Sequence, residues 1–129
     1  MAAYRGRSTS SLDAVTPFPA DHELIGFFEV EPILADQNVP WCYNTLTFVT
    51  IRGSDKVACE ICPGYGTIRL LWERDGNPIG RFELAAVSGL HLTSKDGAEF
   101  VAATFSLAKV SEFKLHLKPH VQVEWGTQD

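Results

Sequence analysis

The sequence contains no apolar run approaching the roughly 20 residues that a membrane-spanning helix needs. It has no excess of positive charge either: 11 Lys and Arg stand against 16 Asp and Glu, a formal net charge of -5. Proteins that grip nucleic acid through a basic face neutralise phosphates with Lys and Arg, so this balance argues against that class. Cysteine is scarce, with three residues in all. An odd count does not close a disulfide framework, and free thiols suit a reducing compartment. The opening residues, Met1 to Arg7, are basic, but no apolar stretch of about 7–15 residues follows as a secretory signal requires. The Ser/Thr run from Ser8 to Ser11 has the composition of a transit peptide without its amphipathic stripe. The expectation is a cytoplasmic protein with neither membrane nor nucleic acid as partner.

What is present is one domain's worth of chain, 129 residues of which 45% are hydrophobic, enough for a self-sufficient core. Residues 1–20 read as a flexible N-terminal tail that orders only near Pro17-Phe18-Pro19, and 21–129 as a single β-rich domain. From residue 24 onward the text is strands and tight turns. Leu24 to Glu31 reads as a first aromatic-rich strand stopped by Pro32, and 33–40 as irregular. Thr45 to Arg52 is rich in β-branched residues and turns at Gly53-Ser54-Asp55 into Lys56 to Cys62. Thr67 to Arg74 follows, with Ile68, Leu70 and Trp72 on one face and Arg69 and Glu73 on the other. Asp75-Gly76-Asn77 and Asp96-Gly97 are hairpin signals, because such turns demand positive φ. Gly89 marks a bulge or corner. Phe113, Leu115 and Leu117, then Val121, Val123 and Trp125, alternate with polar residues and place Trp125 in the core. The segment from Ser106 to Ser111 is the one helical candidate and is too short to bury a stripe. The sum is an all-β antiparallel meander of eight or nine strands, forming a sandwich or a partly open barrel.

Chemistry is harder to find. No nucleophile elbow, zincin motif, Walker loop or dinucleotide fingerprint occurs. Cys59 and Cys62 form a C-x-x-C that pairs on paper with His116 and His120, but 53 residues lie between the two pairs, against about twelve in a zinc finger. In a strand, residues three apart point to opposite faces, so the two sulfurs converge on a metal only if the turn at Pro63-Gly64 begins early. Neither metal nor cofactor is expected. The glycine-rich Pro63-Gly64-Tyr65-Gly66 lies between two strands, with no helix N-terminus to receive a phosphate. Glu29 and Glu31, two apart, would share one face of a strand, which paired catalytic carboxylates need but solvated strands also show. In Pro40-Trp41-Cys42-Tyr43, Trp41 either caps one end of the core or anchors an interface.

The run Gly66-Thr67-Ile68-Arg69-Leu70-Leu71-Trp72, then Asp75-Gly76, and the close from Leu115-His116-Leu117-Lys118-Pro119 to Trp125-Gly126 carry a resemblance over about the last eighty residues. They resemble the small, acidic, all-β immunity proteins encoded beside bacterial polymorphic and contact-dependent toxins. That resemblance implies a non-enzymatic binder that occludes a cognate toxin domain, its acidity suited to a basic active site. On this reading Glu29, Glu31 and Asp36 steer the partner, and Trp41 and Tyr65 anchor it. Other readings stay open: a small-ligand-binding barrel or sandwich, a hydrolase or metal enzyme, and a structural subunit of an assembly. A homodimer through an exposed edge strand is compatible with each.

Overall fold

The computed structural model of the chain describes residues 15–106 and 110–127. Residues 1–14 of the expected tail, and 107–109 of the short helical candidate, lie outside the described residues. One helix and nine strands follow in order: α1 Asp21–Phe28, β1 Ile33–Leu34, β2 Leu46–Arg52, β3 Asp55–Cys62, β4 Thr67–Arg74, β5 Asn77–Leu84, β6 Val87–Lys95, β7 Ala98–Phe105, β8 Val110–Lys118 and β9 Gln122–Thr127. They form two antiparallel sheets, β1-β2-β3-β4-β5 and β6-β7-β8-β9, each strand beside its neighbour in sequence. The expected all-β meander is present. It is divided into two layers and is not a closed barrel.

Turn chemistry explains the short connections. Asp75 and Gly76 both take positive φ, as do Asp96 and Gly97, the pattern of two-residue I′ hairpins whose twist matches the flanking strands. Register then follows the pleat. Leu46, Phe48, Val57, Cys59, Ile61, Ile68 and Leu70 of the first sheet face Leu90, Val101, Ala103, Phe113, Leu115 and Leu117 of the second in one buried cluster. The rings of Phe82 and Phe113 meet across the layers edge to face, 5.3 Å between centroids. The space left among Leu24, Phe28, Leu70, Leu115 and their neighbours is only about 20 Å³. A site for a small organic ligand needs several hundred.

The segment expected as a first strand is instead α1. Leu24, Phe27 and Phe28 are the buried residues, at the i, i+3, i+4 spacing of a helix. Asp21 and Glu23 sit in the first turn, where the helix dipole favours acids, and Glu23 accepts the Ala20 N–H at 2.8 Å. A contiguous apolar run of five fits either state, and tertiary packing selected the helix. Phe28 stacks on Phe48 at 4.4 Å, and Trp41 meets Phe48 edge to face at 6.2 Å. Glu29 ends the helix in the left-handed region (φ 60°), so Glu29 and Glu31 do not share a strand face. Trp41 to Tyr43 form a 3-10 turn. Trp125 is 62% exposed, against the core position expected for it. Its partner Phe113 is buried, but β9 is the sheet's outermost strand, where alternation outruns the facing layer.

The chain changes layers at Ala85-Ala86, beside the β3–β4 turn. Gly66 accepts the Val87 N–H at 2.9 Å and takes φ +66°. A Cβ there would lie 2.8 Å from the Val87 carbonyl oxygen. Gly89 sits at the expected bulge, and β6 is lined by the preceding segment, with Thr16 N donating to Ser88 and Leu90 N donating to Pro17. Both the φ and the contact at Gly66 oppose a side chain. Gly66→Ala is expected to destabilise the fold by about 1–3 kcal/mol in urea unfolding, with Gly64→Ala smaller.

Candidate partner-binding surface

The two outer faces carry similar numbers of charges but treat them differently. On the four-stranded sheet the charges answer one another. Lys114 pairs with Glu112 at 3.6 Å, Lys118 with Glu99 at 3.7 Å, and His116 with Glu124. The Phe100 ring adds apolar cover, with the Lys114 ammonium 5.1 Å and the His116 ring 4.9 Å from its centroid. This face is largely self-satisfied.

The outer face of the five-stranded sheet is not. Register lines up Thr47, Glu60, Arg69 and Glu83 across four strands, and Val49, Ala58, Leu71 and Arg81 across the next rung. Lys56 stands opposite Glu73. Among the described residues none of these six charged side chains enters an ion pair. Four of them, Glu60, Arg69, Arg81 and Glu83, border a groove of about 260 Å³ over Thr47, Ala58 and Leu71. Ile33 and Ile51, each 67% exposed, belong to the same face at its β1–β2 side.

One end of this sheet is a braced loop cluster. Asn44, buried, uses its whole amide: Nδ2 donates to the Asp36 and Val39 carbonyls at 2.6 and 3.0 Å, and Oδ1 accepts from the Asp36 and Thr45 N–H groups at 3.2 and 2.9 Å. The Asp36 carboxylate in turn accepts from Asn38 N at 2.9 Å. The neighbouring β3–β4 turn packs so closely that a Cβ on Gly64 would lie 3.3 Å from the Cys42 carbonyl oxygen. Tyr43 and Tyr65 stand out on either side of that contact, 76% and 84% exposed. Asn44 and Tyr43 were not singled out from sequence as contact or bracing residues. An Asn after Trp41-Cys42-Tyr43 carries no sign that its amide will be sealed inside.

The five residues expected to make contact are placed unequally. Asp36 and Tyr65 are exposed in the loop cluster, and Trp41 is half-buried against the core beneath it. Glu31 is exposed between α1 and β1. Glu29 stands apart, its carboxylate bound to Lys118 at 3.0 Å and Arg52 at 3.5 Å. Arg52 reaches back toward the Phe27 and Phe28 carbonyls at the end of α1, so the cluster clasps the helix to both sheets. The Lys118 hydrogen bond, and then the Arg52 charge, hold the Glu29 carboxyl below its usual 4.5, while Glu29 pushes Lys118 above its usual 10.5. Asp55 is likewise held low, first by the Trp72 indole N–H at 2.8 Å and also by Arg74 at 2.9 Å, against the opposing effect of burial. Cys59 lies in the core, where burial pushes its thiol up to about 12. Cys62 turns to the other face, beside the Thr45 hydroxyl at 3.3 Å.

An antiparallel two-layer sandwich with one docked helix is thus the class of fold to which this surface belongs. A chain of the contact-dependent growth inhibition toxin–immunity protein complex from Klebsiella pneumoniae 342 shares it, with a TM-score of 0.77 and 14% sequence identity over 89% of this chain and 99% of that one. No protein-family model matches the sequence, and no curated protein does.

Two outcomes follow from the braces. Asn44→Ala strands several backbone groups, and is expected to cost about 1–3 kcal/mol and to accelerate amide exchange at Asp36 and Thr45. Glu29 has a lowered pKa, so its stabilising contribution is present above pH 4.5 and is lost as pH falls through the folded-state value. The difference in thermal midpoint between wild type and Glu29→Gln should be largest near neutrality and vanish in acid. A pH-independent difference would show that the clasp acts by shape and not by charge.

Proposed function

We propose that this chain is an immunity protein, a non-enzymatic binding module that neutralises a cognate toxin domain by covering the surface the toxin works with. The observation that carries this reading is the correspondence with a chain of a toxin–immunity protein complex, spanning 99% of that chain at a TM-score of 0.77. The net charge of -5 supports it, since an acidic inhibitor is drawn to the basic cleft of a toxin that acts on nucleic acid. So does the braced loop cluster, because a preorganised contact surface pays less ordering entropy on binding. Asp36 and Glu31 then contribute to steering, Tyr65 and Tyr43 to anchoring, and Trp41 supports the loop from below. Glu29 contributes through the clasp more than through direct contact. The place of action on this reading is the cytoplasm of a bacterium, with one inhibitor bound per toxin.

Co-expression tests it directly. The toxin domain encoded beside this chain should arrest growth when produced alone, and this chain should restore growth and co-purify with it in a 1:1 complex. Association should slow by at least tenfold between low and physiological salt if charge steers the encounter. Growth arrest that persists with this chain present, together with no complex, would overturn the reading.

A further inference from the structure

We infer that the outer face of the five-stranded sheet, centred on the groove between β3, β4 and β5, is the docking face, and that it takes a protein segment of mixed charge. This rests on the immunity reading and specifies its interface.

The argument begins with what neighbouring opposite charges normally do. Residues directly opposite across antiparallel strands have Cβ atoms roughly 4.5–5.5 Å apart, close enough for Glu and Arg to pair. Glu60, Arg69 and Glu83 are such neighbours in succession, and so are Lys56 and Glu73. On the other sheet the directly opposed Glu99 and Lys118 do pair, at 3.7 Å, and His116 reaches diagonally to Glu124. Here the side chains stand apart and leave the 260 Å³ groove between them. Arg69 and Arg81, one rung apart on adjacent strands, offer two guanidiniums for a carboxylate. Glu60 and Glu83, separated by two strand spacings of roughly 5 Å each, offer acceptors to a Lys or Arg on either side of it. The outer-face isoleucines Ile33 and Ile51 supply apolar contact beside the polar centre.

The same arrangement selects the chemical class of the occupant. A nucleic acid would bring its phosphates against Glu60, Glu73 and Glu83, all on this face. A small apolar ligand would strip water from four charged groups around the groove without replacing their hydrogen bonds. A protein loop or strand carrying an acid flanked by bases satisfies all four. Interfacial charges of this kind fix register and reject wrong partners more than they add raw affinity. The groove would therefore be where one inhibitor is matched to one toxin.

The test separates docking from bulk steering, because the two give opposite signs. Arg69→Glu with Arg81→Glu lowers the net charge of -5 by a further four. If overall acidity alone governed capture of a basic toxin, this double variant would bind faster. The docking inference expects it to bind the adjacent-gene toxin domain at least tenfold more weakly, by titration calorimetry, and to lose growth protection. Glu60→Lys with Glu83→Lys should also weaken binding at least tenfold. Lys114→Glu and Trp125→Ala, on the other sheet, should stay within about twofold. Among the described residues Arg69 and Arg81 enter no ion pair, so an unchanged thermal midpoint is expected and will show that the variants are folded. Wild-type-like binding by the Arg double variant, or tenfold loss confined to Lys114→Glu or Trp125→Ala, would overturn the docking face and leave the immunity reading standing. Failure of the wild-type chain to bind the toxin would overturn both.

Discussion

The stacking of Phe28 on Phe48 is the contact around which the rest of the molecule is arranged. Two sheets each present an apolar inner face, and a helix must close the space at their margin. Phe28 does this from α1 while Phe27 packs against it edge to face and Trp41 braces Phe48 from the following turn. Truncating a fully buried ring of this kind typically costs about 3–5 kcal/mol, a large part of a small domain's stability. The stack also fixes where the helix ends. From that end Glu29 reaches Lys118 of the second sheet, and Arg52 of the first reaches back.

The five-stranded sheet has two unlike sides. One side is committed to the core, and the other faces water with a groove and unneutralised charges. The second sheet's outer side has satisfied itself through internal pairs. Among the described residues, one outer surface thus carries six charged side chains that enter no ion pair, and the other carries charges that are largely paired. The loop cluster at Asp36 to Asn44 extends the first surface, held in shape by one buried amide.

Most of the strand text was legible because side chains alternate with period two wherever one face is buried and the other wet. Thr67 to Arg74 matched the observed β4 at both ends for that reason, and the Asp-Gly turns set the hairpins on their own local terms. Leu24 to Phe28 defeated the same reasoning. Five residues that are all apolar or glycine carry almost no period, and the acids at Asp21 and Glu23 were the available sign of a helix start. Trp125 failed differently. It keeps the alternation of its strand, but alternation says which side a residue points to and not whether anything lies opposite.

Composition and pattern by themselves determined an acidic, all-β chain, its turns, the alternating faces of its strands and the opposite facing of Cys59 and Cys62. Those properties are local, arising from φ preferences and from the pleat. Only the tertiary structure decided that the strands divide into two layers, that α1 is a helix, that Glu29 is spent on a clasp and that Asn44 is sealed beneath a loop. It alone decided which outer face was left with unpaired charge. Each of these depends on groups far apart in sequence meeting in space, and no one-dimensional pattern records such a meeting.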